Sequence, residues 1–214
     1  MKAFVVYAHP EPTSFNGALR DTAVRWLTDA GHEVKVSDLY AEDFDPRAGR
    51  HDFTGTADAN RFDYQAEQVH ATETDGFAPT LAREQERLLW CDLLILQYPL
   101  WWGGLPAILK GWFDRVLAYK KFYDLANRYD NGVLKGKKVV MSITTGGTPE
   151  RFSEGGMFGE IGPILHPVDH CILRYVGLDI ADPFIAYAAG RVTPEERAAL
   201  LRAWEARLAE ITAG

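Results

Sequence analysis

The sequence predicts an α/β protein in which an open parallel sheet carries helices on both faces. Two unbroken apolar runs, residues 3–8 and 93–96, are typical of parallel strands that are covered on both sides. Segments with helical spacing of apolar residues alternate with these strands along the chain. Loops rich in glycine and hydroxyl groups follow two of the strands, and such loops are where open parallel sheets bind ligands.

Composition limits the classes of function. With 214 residues the chain can bury a sizeable core, and we expect residues 1–214 to form a single domain. The net charge of −7 opposes binding to nucleic acid or to an anionic membrane surface. No apolar run approaches the roughly 20 residues of a membrane span, and the first residues do not follow the signal-peptide pattern. We expect a cytoplasmic protein that binds small molecules, without membrane insertion.

The two cysteines, Cys91 and Cys171, lie far apart and form no C-x-x-C pattern. This spacing is typical of reduced thiols in an intracellular protein rather than of a disulfide or a redox motif. We expect both thiols to be buried and without a catalytic role.

The predicted fold is organised around residues 93–117. The apolar strand ends in the loop Tyr98-Pro99-Leu100-Trp101-Trp102-Gly103-Gly104, and a helix opens at Pro106. Such a loop offers a planar ligand flat aromatic walls and bare backbone N–H groups. Burial of Trp101 and Trp102 in the core is the alternative interpretation.

A second loop joins the first strand to a helix that runs from Phe15 to Gly31. Thr13, Ser14 and Asn16 are side chains that cap helices, and the same groups form a phosphate site at the positive end of a helix dipole. Gly17 weakens the helix but would let a ligand approach closely. Ordinary helix capping explains these residues as well, so both interpretations remain open here.

The segments between these loops are less informative. Residues 34–37 alternate in polarity, as expected of an edge strand. Residues 40–79 are polar and acidic, and we predict mostly loop with short helical turns. A helix from Pro79 to Trp90 leads into the strand at residue 93.

A third loop follows the predicted strand at residues 138–143. It consists of Thr144, Thr145, Gly146 and Gly147, again hydroxyl groups and glycines at the end of a strand. In a doubly wound sheet, loops that follow different central strands converge on one crevice. The convergence predicts a bound cofactor more strongly than either loop does alone.

The last third of the chain contains two helical stripes. On the first, His166 and His170 have metal-ligand spacing, but Pro167 disturbs the pair and no third ligand is apparent, so we predict no metal site. A weaker strand is expected near residues 184–187. The last helix opens with the capping box at residues 193–196, and Arg197 lies on its inward stripe. A buried arginine needs an acceptor, which is either a carboxylate partner or a bound nucleotide.

Taken in order, these motifs resemble the NAD(P)H:quinone oxidoreductases of the DT-diaphorase type. The similarity runs from residue 3 to residue 211 without large gaps. The residues that carry it are His9, Thr13-Ser14-Phe15-Asn16, Ser37-Asp38-Leu39-Tyr40, Pro99-Leu100, Trp102, Pro106-Ala107-Ile108-Leu109-Lys110-Gly111-Trp112-Phe113 and Ser142-Ile143-Thr144-Thr145-Gly146-Gly147.

The resemblance implies a flavodoxin-like fold with five parallel strands and a homodimer with its active site at the subunit interface. It implies bound FAD, with FMN in some relatives, and NAD(P)H as co-substrate. In this family hydride passes from NAD(P)H through flavin N5 to a quinone-like acceptor in a ping-pong cycle, and nitro or azo compounds are further candidate acceptors.

Site residues follow by position from the resemblance. The pyrophosphate and adenosine side would be held by His9, Phe15, Asn16 and Arg197, and Thr13 and Ser14 are further cofactor-binding candidates. The isoalloxazine would be flanked by Pro99, Leu100, Trp101, Trp102 and Gly103 and by Thr144, Thr145, Gly146 and Gly147. The pocket shared by nicotinamide and substrate would be lined by Trp102, Tyr123, Leu125 and Tyr129.

The departures from the family concern the catalytic groups. Phe152 and Phe158 stand where the family has a tyrosine and a histidine, and neither ring can donate a proton. Backbone N–H groups of Gly146 and Gly147 would remain to stabilise charge. Trp101, Gly103 and Leu125 make the predicted substrate wall more apolar than that of the family.

Two further questions stay open at this point. Arg197 favours FAD, whereas Asp63 replaces a glutamine that lies near the dinucleotide in the family and keeps FMN open. The alternatives to an enzyme are a regulatory or electron-carrier flavoprotein with weak reductase activity and a flavin-free binding protein.

Overall fold

The structure, a computed structural model, describes residues 1–213. The strands are β1 Lys2–Tyr7, β2 Glu33–Asp38, β3 Leu93–Pro99, β4 Lys138–Thr144, β5 Asp179–Ile180 and β6 Phe184–Ala186. The helices are α1 Phe15–Asp29, α2 Tyr64–Thr74, α3 Pro79–Trp90, α4 Ala107–Val116, α5 Ile161–Val168 and α6 Pro194–Ala213. Within residues 1–213 no helix combines the length and the apolar character needed to cross a membrane.

The strands form one parallel sheet in the order β2-β1-β3-β4-β5, and β6 also pairs with β4. The short strands β5 and β6 share the fifth position beside β4. The predicted fold, an open sheet with five parallel positions and helices on both faces, is therefore confirmed. In register, Tyr7 lies opposite Gln97, and Pro99 lies opposite Thr144, so the carboxyl ends of β1, β3 and β4 lie side by side.

The side chains of β3 alternate between two cores, as the pleat of a strand requires. Leu94, Leu96 and Tyr98 face the core that is covered by α3, α4 and α5. Leu93 and Ile95 face the core that is covered by α1 and α6. Because both faces are covered, β3 is apolar along most of its length, which is why it stood out in the sequence.

The prediction of loop over residues 40–79 was wrong for α2, which spans 11 residues. Its buried residues are Glu67, Gln68 and Ala71, so the inward face carries no apolar stripe that a periodicity search would find. The Asp63 side chain accepts the N–H of Ala66 and begins the helix. The buried Glu67 carboxylate accepts a backbone N–H and a threonine hydroxyl from the preceding loop, which offsets its desolvation.

The prediction that both thiols are buried was only partly correct. Cys91 is fully buried beneath the end of α3, but Cys171 is exposed. Cys171 lies in a π-helical turn, Asp169–Leu173, that continues α5. The same turn brings the rings of His166 and His170 into a parallel stack with centroids 5.1 Å apart.

Candidate functional site

A cleft lies beyond the carboxyl ends of β1, β3 and β4, and it has two lobes. The polar lobe, of about 340 Å³, lies beside the first turn of α1. The apolar lobe, of about 520 Å³, lies beside Trp102. Leu100, Thr145 and Gly146 line both lobes, so the two form one continuous site. The three loops predicted from the sequence meet here.

The polar lobe is built on the N-terminus of α1. Ser14 caps this helix by accepting the N–H of Gly17 at 3.2 Å. Phe15 and Asn16 belong to the first turn, in which backbone N–H groups have no partner within the helix. These donors and the helix dipole favour an anionic group in the lobe.

The loop before α1 is held by the side chain of Glu11. Its carboxylate accepts the N–H of Thr13 at 2.9 Å and the hydroxyl of Thr13 at 2.6 Å, and these bonds keep the pKa of Glu11 below its ordinary value. His9 Nδ1 lies 3.0 Å from the N–H of Glu11, which donates to it. The hydroxyl of Thr13 is therefore occupied by the loop itself, whereas His9 and Ser14 line the lobe.

Gly17 serves the packing of this loop rather than access of a ligand. A Cβ atom at residue 17 would collide with the carbonyl oxygen of Pro12. The expectation that Gly17 makes room for a ligand was therefore wrong, because the loop already fills that space.

Arg197 lines the polar lobe and is partly buried. Its guanidinium lies 5.0 Å from the ring centroid of Phe15 and donates to the carbonyl of Ala189 at 3.3 Å. A carbonyl and an aromatic face thus stand where a carboxylate was one of the two expected partners, and within residues 1–213 no ion pair neutralises the positive charge. An anion in the lobe would complete the arrangement.

A buried chain of hydrogen bonds joins α1 to the sheet at the floor of this lobe. Gln97 Nε2 donates to Asn16 Oδ1 at 2.9 Å, and Asn16 Nδ2 donates to Thr144 Oγ1 at 2.8 Å. All three residues are at most 5% exposed. The amide of Asn16 therefore positions the first turn of α1 over the ends of β3 and β4.

The apolar lobe begins at a tight hairpin. The N–H and carbonyl groups of Trp101 and Gly104 pair with each other at 3.0–3.1 Å. Trp102 and Gly103 between them have φ angles of 52° and 70°, as in a type I′ turn. Trp102 is fully exposed and Trp101 is 40% exposed, so the alternative interpretation of both as core residues was wrong.

The opposite wall is the loop after β4. A Cβ atom at Gly146 would meet nothing within 4 Å, because this residue faces the cleft, whereas one at Gly147 would lie 2.7 Å from the ring of Phe152 and 3.0 Å from that of Phe158. The loop is held by backbone hydrogen bonds with residues 186–189 and by two contacts of side chains. Thr145 donates its hydroxyl to the carbonyl of Gly147 at 2.8 Å, and the guanidinium of Arg191 donates to the carbonyl of Gly146.

The predicted substrate-pocket residues do not meet within one chain. Trp102 lines the apolar lobe, but Tyr123 lines a separate groove beside Cys171, and Tyr129 lines another beside His170. Leu125 is 78% exposed on the connecting loop. The ring of Tyr175 lies between Tyr123 and Tyr129, with centroid distances of 5.5 Å and 5.2 Å to their rings.

Some residues of the cleft were missed in the sequence. Ile164 lines the apolar lobe, and Ala189 and Gly190 line the polar lobe after β6. The signal for Gly190 was a glycine that follows a strand, as at Gly146, but β6 has only three residues and gave a weak pattern. The signal for Gln97 was a polar residue that interrupts the apolar run of β3.

Comparison with known proteins places this geometry in a family. Residues 1–208 match the Flavodoxin_2 family, a flavodoxin-like fold. The chain is 42% identical over 208 residues to NAD(P)H dehydrogenase [quinone] 1 of Rattus norvegicus, covering 97% of this chain and 76% of the relative. It is 41% identical over 211 residues to ribosyldihydronicotinamide dehydrogenase [quinone] of Homo sapiens, covering 98% and 91%.

Solved structures agree with the sequence comparison. A Klebsiella pneumoniae protein assigned as a quinone reductase superposes with a TM-score of 0.94 at 36% identity, covering 99% of this chain and 85% of the other. The NAD(P)H:quinone oxidoreductase of Methanothermobacter marburgensis gives 0.67 at 25% identity, covering 96% and 94%. The predicted relationship is confirmed: the chain belongs to the NAD(P)H dehydrogenase [quinone] family of flavodoxin-like fold.

Proposed function

We propose that residues 1–214 form a single flavin-binding domain that oxidises NAD(P)H and reduces a quinone-like acceptor in the two-lobed cleft. The observation that carries the proposal is the division of one cleft into a polar lobe on a helix N-terminus and an apolar lobe with an exposed tryptophan. A flavin nucleotide has the same division, because its phosphates are anionic and its ring system is flat and largely apolar.

The residues present fit such a group. The N–H groups of Phe15 and Asn16, the hydroxyl of Thr144 and the guanidinium of Arg197 offer donors for phosphate oxygens in the polar lobe. Trp102, Leu100 and the open backbone of Gly146 offer flat surfaces and close approach for the ring in the apolar lobe. Neither lobe is lined by Asp or Glu, whose charge would repel the phosphates.

We propose FAD rather than FMN as the resident flavin. Arg197, whose guanidinium lies 5.0 Å from the ring centroid of Phe15, adds a cation to the N–H donors of α1 in the polar lobe, and two phosphates would use this larger set of donors more fully than one. The carboxylate of Asp63, which stands where the family has a glutamine, caps α2 and is exposed. Because Asp63 has this structural role in α2, its presence in place of a glutamine does not argue against FAD.

The bound flavin would supply the redox chemistry, taking hydride from NAD(P)H at N5 and returning two electrons to the acceptor in a ping-pong sequence. The chain itself would orient both partners and exclude water. The N–H groups of Gly146 and Gly147 are donors that line the apolar lobe, whereas Phe152 and Phe158 contribute only apolar contact. Quinones are the first candidate acceptors, and nitro or azo compounds are further ones.

The substrate pocket would be completed by a second copy of the chain. Trp102, Leu125 and Met157 are exposed apolar side chains, with relative exposures between 78% and 103%. In the homodimer that we propose, the Tyr123, Leu125 and Tyr129 segment of one copy would close the apolar lobe of the other. The separation of these residues from Trp102 within one chain supports this arrangement.

The proposal is tested by mixing the purified, flavin-loaded protein with NADPH, and in parallel with NADH, under anaerobic conditions. We expect the visible flavin absorbance to bleach within seconds and to return on addition of a quinone. Absorbance that stays unchanged with both nicotinamides would exclude the proposed reductase.

A second candidate is a regulatory or electron-carrier flavoprotein with weak reductase activity. The observation in its favour is that Phe152 and Phe158 place no proton donor in the apolar lobe. Slow turnover with every acceptor class, combined with a stable complex with another protein, would support this candidate over the enzyme.

A further inference from the structure

The starting observation is an unusual residue in the middle of β3. Gln97 is 1% exposed, yet its Oε1 atom has no hydrogen-bond partner among residues 1–213. A buried carbonyl without a partner destabilises the folded state, and a leucine or methionine at this position would avoid that cost. The cost is offset only if the other end of the amide does something that an apolar side chain cannot do.

The other end of the amide starts a directed chain. Gln97 Nε2 donates to Asn16 Oδ1, which leaves Asn16 Nδ2 to donate to Thr144 Oγ1. Because the oxygen of Thr144 already accepts this bond, the hydroxyl hydrogen must point elsewhere. Within residues 1–213 it donates to no other group, and Thr144 lines the polar lobe.

The neighbouring threonine, Thr145, does not have a free hydroxyl hydrogen. Thr145 also lines the cleft, but its hydroxyl is used within the loop, where it donates to the carbonyl of Gly147 at 2.8 Å. Of the two threonine hydroxyl groups at the end of β4 and directly after it, only that of Thr144 is available as a donor to a ligand.

We propose that Gln97 is a positioning residue that fixes the direction of the Asn16–Thr144 hydrogen bond and so presents the Thr144 hydroxyl as a donor to an acceptor oxygen of the bound flavin nucleotide. The inference rests on the proposed function for the identity of the ligand. Gln97 itself lies beneath the cleft and acts only through Asn16.

The first test is a double-mutant cycle on the affinity of the flavin-free, full-length protein for FAD and, separately, for FMN, measured by flavin fluorescence. Gln97→Met removes the amide at similar volume, and Thr144→Val removes the hydroxyl. Each is expected to weaken FAD binding about 10- to 150-fold, the range for one hydrogen bond to an anionic acceptor. The double variant is expected to bind FAD within about twofold of the single variant that binds it less tightly, since both substitutions act on one bond.

Two variants serve as controls. Thr144→Ser keeps the hydroxyl and is expected to bind FAD within about twofold of wild type. Ser142 lies opposite Gln97 on β4, is equally buried, and has a hydroxyl that is also without a partner, so Ser142→Ala is a matched change of a buried polar group. We expect Ser142→Ala to leave the affinity unchanged.

A second readout does not depend on flavin. In the flavin-free protein, hydrogen exchange of the Asn16 side-chain amide, followed by NMR, is expected to be at least about tenfold faster in Gln97→Met than in wild type, because Asn16 loses its anchor. Thr144→Val is expected to accelerate the same exchange, which keeps the test valid if Gln97→Met does not fold. If exchange of the Asn16 side-chain amide is unchanged in the folded variants, the positioning role of Gln97 is overturned.

The outcomes separate the two proposals. Affinity losses that add fully in the double variant, or a Gln97→Met protein that binds FAD as wild type does, would overturn the positioning role. A wild-type protein that binds neither FAD nor FMN would overturn the proposed function. The exchange rate of the Asn16 side-chain amide would then be the test of whether Gln97 positions Asn16.

Discussion

The rings of Phe152 and Phe158 lie 5.1 Å apart, and both lie within 3.0 Å of the position that a Cβ atom of Gly147 would occupy, so they form an apolar cap on the wall of the cleft. The nearest phenol behind this cap is Tyr187, whose ring is 5.9 Å from that of Phe152. Tyr187 does not line the lobe, and burial raises its pKa, which makes it a poorer proton donor. The aromatic side chains of this wall therefore offer apolar contact but no acidic group.

The first prediction concerns this cap. Together, Phe152→Tyr and Phe158→His are expected to raise quinone turnover by about 10- to 100-fold, because each restores a hydrogen bond to charge that develops during reduction. Turnover is measured at saturating NADPH, and the flavin content of wild type and variant must be equal. The control is Phe158→Leu, which keeps the lobe apolar and is expected to give no gain. Equal rates in all three proteins would mean that protons reach the acceptor by another route.

The two glycines after β4 give a second, matched prediction. Gly146→Ala adds a methyl group to open space in the cleft, so the flavin-free protein should unfold within about 0.5 kcal/mol of wild type while FAD binding weakens at least tenfold. Gly147→Ala instead pushes on Phe152 and Phe158 and should lower the free energy of unfolding by about 1–3 kcal/mol. Denaturant unfolding and flavin titration measure the two effects. The reverse order of effects would place the ligand on the other side of this loop.

The third prediction tests the buried ion pair that ties the loop before α2 to α4. Arg115 donates through Nε at 2.9 Å to Asp52, and Tyr64 donates its hydroxyl to the same carboxylate at 2.6 Å. Arg115 is 4% exposed and Asp52 is 0% exposed. Arg115→Met leaves this carboxylate without its cation and is expected to cost about 3–5 kcal/mol in urea unfolding.

The exposed pair Lys110–Asp114 on α4 is the matched control for Arg115. Lys110→Met should change the free energy of unfolding by less than about 0.5 kcal/mol, because solvent screens this pair. If both variants lost the same amount, burial would not be the cause of the difference.

The fourth prediction concerns the thiols. Burial raises the pKa of Cys91 to about 11, whereas an unfolded thiol titrates near 8.5–9. The folded state therefore binds more protons above pH 9, so this stabilisation is complete below about pH 9 and is lost as the pH rises towards 11. The loss attributable to Cys91 is about 2–3 kcal/mol over that window.

Comparison of variants isolates the contribution of this thiol. The fall in unfolding free energy between pH 9 and 11 should be shallower in Cys91→Ala than in wild type and unchanged in Cys171→Ala. A thiol reagent at neutral pH should modify Cys171 alone in the folded protein and both cysteines after unfolding. Rapid modification of Cys91 in the folded state would contradict its burial.

The parts of the fold that the sequence predicted are those with local causes. The apolar runs of β1, β3 and β4 follow from burial on both faces, and α3 begins and ends at the predicted residues Pro79 and Trp90. Convergence of the loops was predictable from topology alone, since parallel strands end at one edge of the sheet. By contrast, α2 buries polar residues, and its helical period is therefore absent from the apolar pattern.

The contacts that shape the cleft were not predictable, because they join distant residues. Asn16 pairs with Gln97 and Thr144, which lie 81 and 128 positions away. The hydroxyl of Thr13 donates to the carboxylate of Glu11. Arg197 contacts the carbonyl of Ala189 and the ring of Phe15, whereas a carboxylate was one of its two expected partners. The hydrogen-bond partner of a side chain depends on which atoms the folded chain brings within bonding distance. A single sequence does not give the distances between residues that lie far apart in it.

The most direct test of the central claim is to denature the purified protein, identify any released chromophore by mass and measure its amount per chain, and then to titrate the stripped protein with FAD. We expect one FAD per chain, and a titration of wild type that saturates at that ratio while Gly146→Ala fails to saturate at the same concentrations. A colourless protein that binds neither FAD nor FMN would contradict the proposal of a flavin-binding cleft.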